Sequence, residues 1–162
     1  LFSAIMISAT ALAGPSHHEE CFPVSLMKVL IENEYKQGGG ATAEDVVQVQ
    51  SLGCPGDSTI YYPNGRTAGS KGYSWYWPNG RTAGSEGYTW YYPNGRTAGS
   101  DGYTWYHSNG RTAGSIGYTW YHANGRTAGS EGYTWYYANG STAGSLRFST
   151  LEGILRFTGS IE

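Results

Sequence analysis

Five arginines recur at a constant step of 15 residues: Arg66, Arg81, Arg96, Arg111 and Arg126. In register they would form a like-charge row, which repels itself unless each guanidinium meets a tyrosine face, a carbonyl or an anionic ligand. Arginine stacked over tyrosine is the favoured expectation, with binding of an anion or a polymer as the alternative. The same step carries aromatic pairs: Tyr73 and Trp75, Tyr88 and Trp90, Tyr103 and Trp105, Tyr118 and Trp120, Tyr133 and Trp135. Exposed rings in rows are binding chemistry, because sugars and other flat apolar surfaces stack on them. These ten aromatic residues and five arginines are the candidate binding residues.

Catalytic chemistry has little support. Ser25-Leu26-Met27-Lys28 has the Ser-x-x-Lys spacing of penicillin-recognising enzymes, without the accompanying motifs, and Ser25 reads as a helix-start residue. His17, His18, Glu19 and Glu20 could clamp a metal but read as an exposed terminus. His107 and His122 are one repeat apart; two ligands do not make a site, and both read as surface replacements of tyrosine. Acids within the repeats fall in one turn column, with no paired geometry for acid–base work. No catalytic residue, cofactor or metal is therefore assigned, and an enzyme is not expected.

The candidate residues sit on a repeat. Asn-Gly pairs begin at Asn64, Asn79, Asn94, Asn109, Asn124 and Asn139, with no insertion between copies. A fixed short period means stacked units. Each unit holds two turn signals, Pro-Asn-Gly and Gly-Ser-x-Gly, a strong strand signal in Tyr-Thr-Trp-Tyr-Tyr and a weaker one in Arg-Thr-Ala-Gly. The expected fold is an all-β repeat, a β-solenoid of six 15-residue coils with a small α-helical N-terminal cap. The alternative is an array of short β-hairpins, which Asn-Gly invites.

Variation between copies orients the strand. One column reads Tyr62, Trp77, Tyr92, His107, His122, Tyr137; another reads Lys71, Glu86, Asp101, Ile116, Glu131, Leu146. Both accept polar residues and are expected to face solvent. The column of Tyr61, Tyr76, Tyr91, Tyr106, Tyr121 and Tyr136 never changes. Alternation along a strand then points Tyr91 inward and places Trp75, Trp90, Trp105, Trp120 and Trp135 in an outward ladder.

Flanking segments complete the organisation: 1–13 signal peptide, 14–57 helical cap, 58–150 repeats, 151–162 C-terminal cap strand. Leu1 to Gly14 is apolar, too short to span a bilayer, and ends in Ala11-Leu12-Ala13 before an expected cleavage at Gly14. No membrane span is expected after cleavage. Cys21 and Cys54, the only cysteines, are expected to pair in an oxidising compartment. Pro23 opens a first helix with Leu26, Met27, Val29, Leu30 and Ile31, ended by Gly38-Gly39-Gly40. Thr42 caps a second with Glu44 and Asp45 in its first turn, burying Val46, Val47, Val49 and Leu52. Leu146 to Thr150 and Leu155 to Thr158 read as two strands around Glu152-Gly153.

Ten basic against 12 acidic residues, a net charge of −2, give no electrostatic footprint for nucleic acid. With 15 Tyr, 6 Trp and 25 Gly, the core cannot be a Leu/Ile/Val core in the repeats.

Thr89-Trp90-Tyr91-Tyr92-Pro93-Asn94-Gly95 followed by Ala98-Gly99 resembles the choline- or glucan-binding cell-wall repeats, and Tyr-Tyr-Pro-Asn-Gly-Arg is similar to the core of MORN-type repeats. The resemblance implies aromatic-lined contacts to glycan or choline through residues such as Trp90 and Tyr91. Together these readings describe a secreted, extracellular or cell-surface, non-catalytic repeat protein presenting aromatic ladders for self-association, as an oligomer or fibre, or for adhesion. The alternatives are a glycan- or cell-wall-binding module and an ice-binding solenoid, whose flat threonine rows are hard to build beside bulky rings.

Overall fold

The computed structural model describes residues 22–100, 103–148 and 151–158. The expected signal peptide, the His17–Glu20 cluster and Cys21 lie outside the described residues; among those described, no cysteine is a free thiol.

Two helices come first, α1 (Phe22–Lys36) and α2 (Ala43–Gln50). Thr42 caps α2 in a reciprocal capping box with Asp45: its hydroxyl accepts from the Asp45 N–H, and the Asp45 carboxylate accepts from the Thr42 N–H. The apolar face of α1 is fully used, with Leu26, Met27, Val29, Leu30 and Ile31 no more than 1% exposed. Val47 departs from expectation and is 62% exposed. On a helix of eight residues the stripe that buries Val49 and half-buries Val46 turns Val47 to the other side.

Six antiparallel two-stranded hairpins follow, one per repeat: β1 (Ile60–Tyr61) with β2 (Thr67–Gly69), β3 (Trp75–Tyr76) with β4 (Thr82–Gly84), β5 (Trp90–Tyr91) with β6 (Thr97–Gly99), β7 (Trp105–Tyr106) with β8 (Thr112–Gly114), β9 (Trp120–Tyr121) with β10 (Thr127–Gly129), and β11 (Trp135–Tyr136) with β12 (Thr142–Gly144). Tyr62-Pro63-Asn64-Gly65 sets the turn chemistry. The Gly65 N–H donates to Tyr62 O, the Tyr62 N–H to Arg66 O, and Gly65 stands at φ +83° as the bulge residue. Asn64 Oδ1 accepts from the Arg66 N–H at 3.0 Å and locks that turn.

Among the described residues each sheet holds two strands only, and no strand pairs with a neighbouring hairpin. Side chains join the units instead. Tyr62 Oη donates to Tyr76 O, Trp77 Nε1 to Tyr91 O and Tyr92 Oη to Tyr106 O; His107 and His122 bond through Nε2 to Tyr121 O and Tyr136 O, all at 2.7–2.9 Å.

That network corrects the inside–outside assignment. Tyr62, Trp77, Tyr92, His107 and His122 are at most 2% exposed. Their variation reflects a shared property, a flat ring ending in a donor, and not exposure. Alternation holds with its sense reversed: Trp75, Trp90, Trp105, Trp120 and Trp135 are buried with them, and the tyrosines between point outward. Each indole lies on the glycine that ends the preceding hairpin, as Trp75 does on Gly69. The turn column is exposed as expected at Lys71, Glu86, Ile116 and Glu131.

The C-terminal segment is also corrected. Leu151–Thr158 is a helix, α3. Leu151, Ile154, Leu155 and Thr158 follow a helical step, and Glu152-Gly153 is no strand turn. Phe157 of α3 packs on Trp135, Phe148, Tyr137 and His122 and thus covers the last indole.

The helices do not merely cap one end. Gln48 of α2 accepts from the Asn64 N–H in the first repeat, Glu34 of α1 from the Asn94 N–H in the third, and Thr158 of α3 from the Ala123 N–H in the fifth. Arg156 bridges Glu32 at 3.2 Å and ties α3 to α1. One core therefore runs along a face of the array, with Leu30, Val49 and Leu155 on one side and the aromatic columns on the other.

Candidate functional site

The tryptophans expected to bind are not available. Trp75, Trp90, Trp105, Trp120 and Trp135 are 0–2% exposed, and they form the inner layer of the array. Their partners in the motif are on the outside: Tyr73, Tyr88, Tyr103, Tyr118 and Tyr133 are each 72–73% exposed. The cause is local. Each of these tyrosines closes the second turn, with its N–H donating to the serine carbonyl three residues back, as Tyr73 does to Ser70. It has left the strand, so strand alternation does not turn it inward with the tryptophan.

The arginines are exposed and held in place. Arg66 Nη1 donates to Pro78 O at 2.7 Å, Arg81 to Pro93 O, Arg96 to Ser108 O, Arg111 to Ala123 O and Arg126 to Asn139 O. Each guanidinium thus reaches a carbonyl of the following turn, not a tyrosine face. It also crosses that turn's glycine: a Cβ on Gly125 would stand 3.4 Å from Arg111 Nη1. Asn79, Asn94, Asn109 and Asn124 donate through Nδ2 across the same junctions. In the sixth copy Ser141 replaces the arginine and bonds Asn139 Oδ1 within its own turn, where no seventh turn exists to be reached.

Between neighbouring hairpins this leaves a groove. One, of about 630 Å³, is lined by Gly65, Arg66, Thr67, Tyr76 and Gly80; its equivalent two repeats on, of about 470 Å³, is lined by Gly95, Arg96, Thr97, Tyr106 and Gly110. The residues at these five positions recur unchanged at every junction of the array. The tyrosines of this column, expected inside, are partly exposed: Tyr61 60%, Tyr76 36%, Tyr136 37%.

The chain matches no known protein-family model, no curated protein and no solved structure.

Two further places carry polar chemistry. A cleft of about 460 Å³ lies where the end of α1 meets the third and fourth repeats, lined by Gln37, Gly38, Gly39, Asn94, Arg96, Ser108 and Asn109. Beside it Glu34 is wholly buried. Burial pushes its carboxyl up to about 7, against the bond from the Asn94 backbone, with Asp45 adding to the rise and Arg81 and Arg96 opposing it. Burial likewise lowers the pKa of His107, partly offset by its bond to the Tyr121 carbonyl, while His122 adds to the fall. Burial raises the phenols of Tyr62 and Tyr92. Both histidines use Nε2 on carbonyls, which opposes a metal-ligand role for the pair. Among the described residues no group of three metal-ligating side chains converges, and no helix is long and apolar enough to cross a membrane.

Sequence reasoning missed Thr67, Thr97, Tyr76 and Tyr106 as groove walls, because the tyrosine column was assigned to the interior. It missed Glu34 because nothing in the local sequence of α1 says that a glutamate is covered by a turn 60 residues on.

Proposed function

We propose that this chain is a secreted, non-catalytic adhesive repeat protein that holds an extended extracellular polymer, a glycan foremost, against the outer side of its hairpins. One observation carries the reading: Tyr73, Tyr88, Tyr103, Tyr118 and Tyr133 stand in equivalent places at 72–73% exposure. Aromatic side chains left this bare in series make an interaction surface, not a core. Identical weak subsites in a row add by effective concentration, so a long partner is held more firmly than its monomer. Stacking of the hairpins into one solenoid-like pile, export with cleavage before Gly14, and a Cys21–Cys54 bridge belong to the same proposal. The equal inter-repeat bonds from Tyr62 to His122 support the pile.

The test is retention of the purified chain on insoluble polysaccharides, beside the variant Tyr88→Ser/Tyr103→Ser/Tyr118→Ser. Retention of the parent and its loss in the variant support the reading. No retention on any polymer opposes it.

Self-association is the second reading, favoured by the same bare tyrosines together with the 50% exposed Ile116. It requires particle mass to rise with concentration, and the triple serine variant to stay monomeric. The ice-binding alternative draws on the exposed Thr67, Thr82, Thr97, Thr112 and Thr127, yet Thr67 and Thr97 share a groove with an arginine and a tyrosine ring.

A further inference from the structure

We infer that the groove between successive hairpins is a subsite for one acidic sugar residue, and that the array is a reader of anionic polysaccharide bearing carboxylate or sulfate groups. This rests on the polymer-binding reading and names its ligand class.

A guanidinium offers five N–H groups in a planar fork. In each of Arg66, Arg81, Arg96, Arg111 and Arg126 the bond to the next turn engages Nη1. None of the five forms a salt bridge among the described residues, where Arg156 with Glu32 is the pair found. All five residues are exposed, which leaves N–H groups beyond that bond open to solvent while a carbonyl already holds the side chain. Fixing it beforehand lowers the entropy lost when an oxyanion binds in the fork.

Charge is uniform at one end of the units and mixed at the other, where Lys71 and Ile116 share the column of Glu86 and Glu131. Arginines follow the Asn-Gly turn at one end, and Glu86 and Glu131 occupy the Gly-Ser-x-Gly turn at the other. The net charge of −2 thus hides a basic row. Of that row Arg81 and Arg96 act on Glu34, whose carboxyl burial pushes up to about 7, so it offsets little of the row's charge near neutral pH.

The other groove walls specify the rest of the ligand. Tyr76 and Tyr106 supply a partly exposed ring, Thr67 and Thr97 a hydroxyl, and Gly65, Gly80, Gly95 and Gly110 keep the floor open. A ring face suits the C–H face of a pyranose, a hydroxyl suits its ring hydroxyls, and the arginine suits its acid. A free inorganic anion would use only the last of these. Five junctions at one period fit a polymer with a regular acid spacing.

The experiment measures binding of the full chain to polygalacturonate (carboxylate), heparin (sulfate), neutral dextran and duplex DNA, at two salt concentrations. The parent is expected to bind one or both acidic polysaccharides, with affinity falling as salt rises, and to ignore dextran. Arg81→Gln/Arg96→Gln/Arg111→Gln is expected to lose at least about tenfold. Because that triple change also removes three carbonyl contacts, Arg81→Lys/Arg96→Lys/Arg111→Lys serves as the charge-keeping partner and is expected to retain part of the affinity. Lys71→Gln, at the opposite turn, is expected to change nothing. The carboxylate and sulfate arms decide between the two acids. Equal binding to dextran overturns the inference while sparing the glycan reading. Tighter binding to DNA, or unchanged affinity in a well-folded glutamine variant, also overturns it. Binding to none of the four overturns both.

Discussion

Gly99 lies flat against the indole of Trp105: a Cβ placed on it would stand 2.5 Å from Cδ2 of that ring, at a backbone φ of +147°. The same contact recurs from Gly69 on Trp75 to Gly129 on Trp135. The array is joined at these points by a missing side chain on one hairpin and the largest side chain on the next. Gly99→Ala meets both a steric clash and a left-handed backbone, and is expected to destabilise by about 2–4 kcal/mol. Gly144 has φ +92° and nothing within 4 Å, so Gly144→Ala is expected to cost only about 1 kcal/mol. Urea unfolding of the two variants checks the difference; equal losses would mean that the indole contact contributes nothing.

The indoles are interior, so their fluorescence should be blue-shifted and poorly quenched by acrylamide in the folded chain, shifting red on unfolding. Trp90→Ser should behave as a core deletion, costing about 3–5 kcal/mol. Tyr88→Ser, at a residue 73% exposed, should stay within about 0.5 kcal/mol of the parent. Ready quenching of the folded protein would restore an outward ladder.

The donor column makes a sharper chemical prediction. Tyr92→Phe keeps the ring and removes the 2.7 Å bond to Tyr106 O, and should cost about 1–2 kcal/mol. Tyr92→His, which retains a ring N–H, should recover part of that loss, since His107 and His122 fill the same place in their repeats. Thermal melts of the two variants decide the matter. Equal stability of Tyr92→Phe and the parent would show that ring packing alone fills the column.

Glu34 and His107 impose opposite pH slopes. The Glu34 pKa rises from 4.5 to about 7 on folding, so between those values the folded chain holds the extra proton and stability falls as pH rises. His107 has its pKa lowered below 6.5, so just below 6.5 the unfolded chain takes the proton first and stability falls as pH drops. The two partly offset in the parent. Glu34→Gln removes the first, and should melt higher than the parent at pH 8, by on the order of 3 kcal/mol if the whole shift is recovered, with no gain at pH 4. A gain that is the same at both values would assign the effect to packing.

The closing helix should matter locally. Phe157 meets Trp135 at 5.7 Å and Phe148 at 5.4 Å, and Leu155 is 2% exposed. Leu155→Ala should cost about 2–4 kcal/mol. Phe157→Ala should speed amide exchange in β11 and β12 before the first hairpins are affected. Uniform exchange along the array would mean that it opens as one unit.

By itself the sequence determined the unit. The 15-residue period, the Asn-Gly and Gly-Ser-x-Gly turns, the capping box at Thr42 and the run of apolar residues in α1 are local preferences, and local preferences are written in residue types. Hairpin pairing was one of two arrangements open at that level. That each unit pairs as a hairpin, and which face of Trp90-Tyr91-Tyr92 turned inward, was decided by tertiary structure. An exposed column and a buried column of donors accept the same substitutions among Tyr, Trp and His, so variation alone could not separate them. The fold of residues 151–158 was settled in the same way: Leu151, Ile154 and Leu155 match a helical period, and helix α1 with the last repeat supplies the surface that makes helix the better use of them. The site followed suit. Arg66 to Arg126 were legible as a row, but only packing brought Tyr76 and Thr67 beside the first of them, because those neighbours belong to the junction between units and not to any one unit.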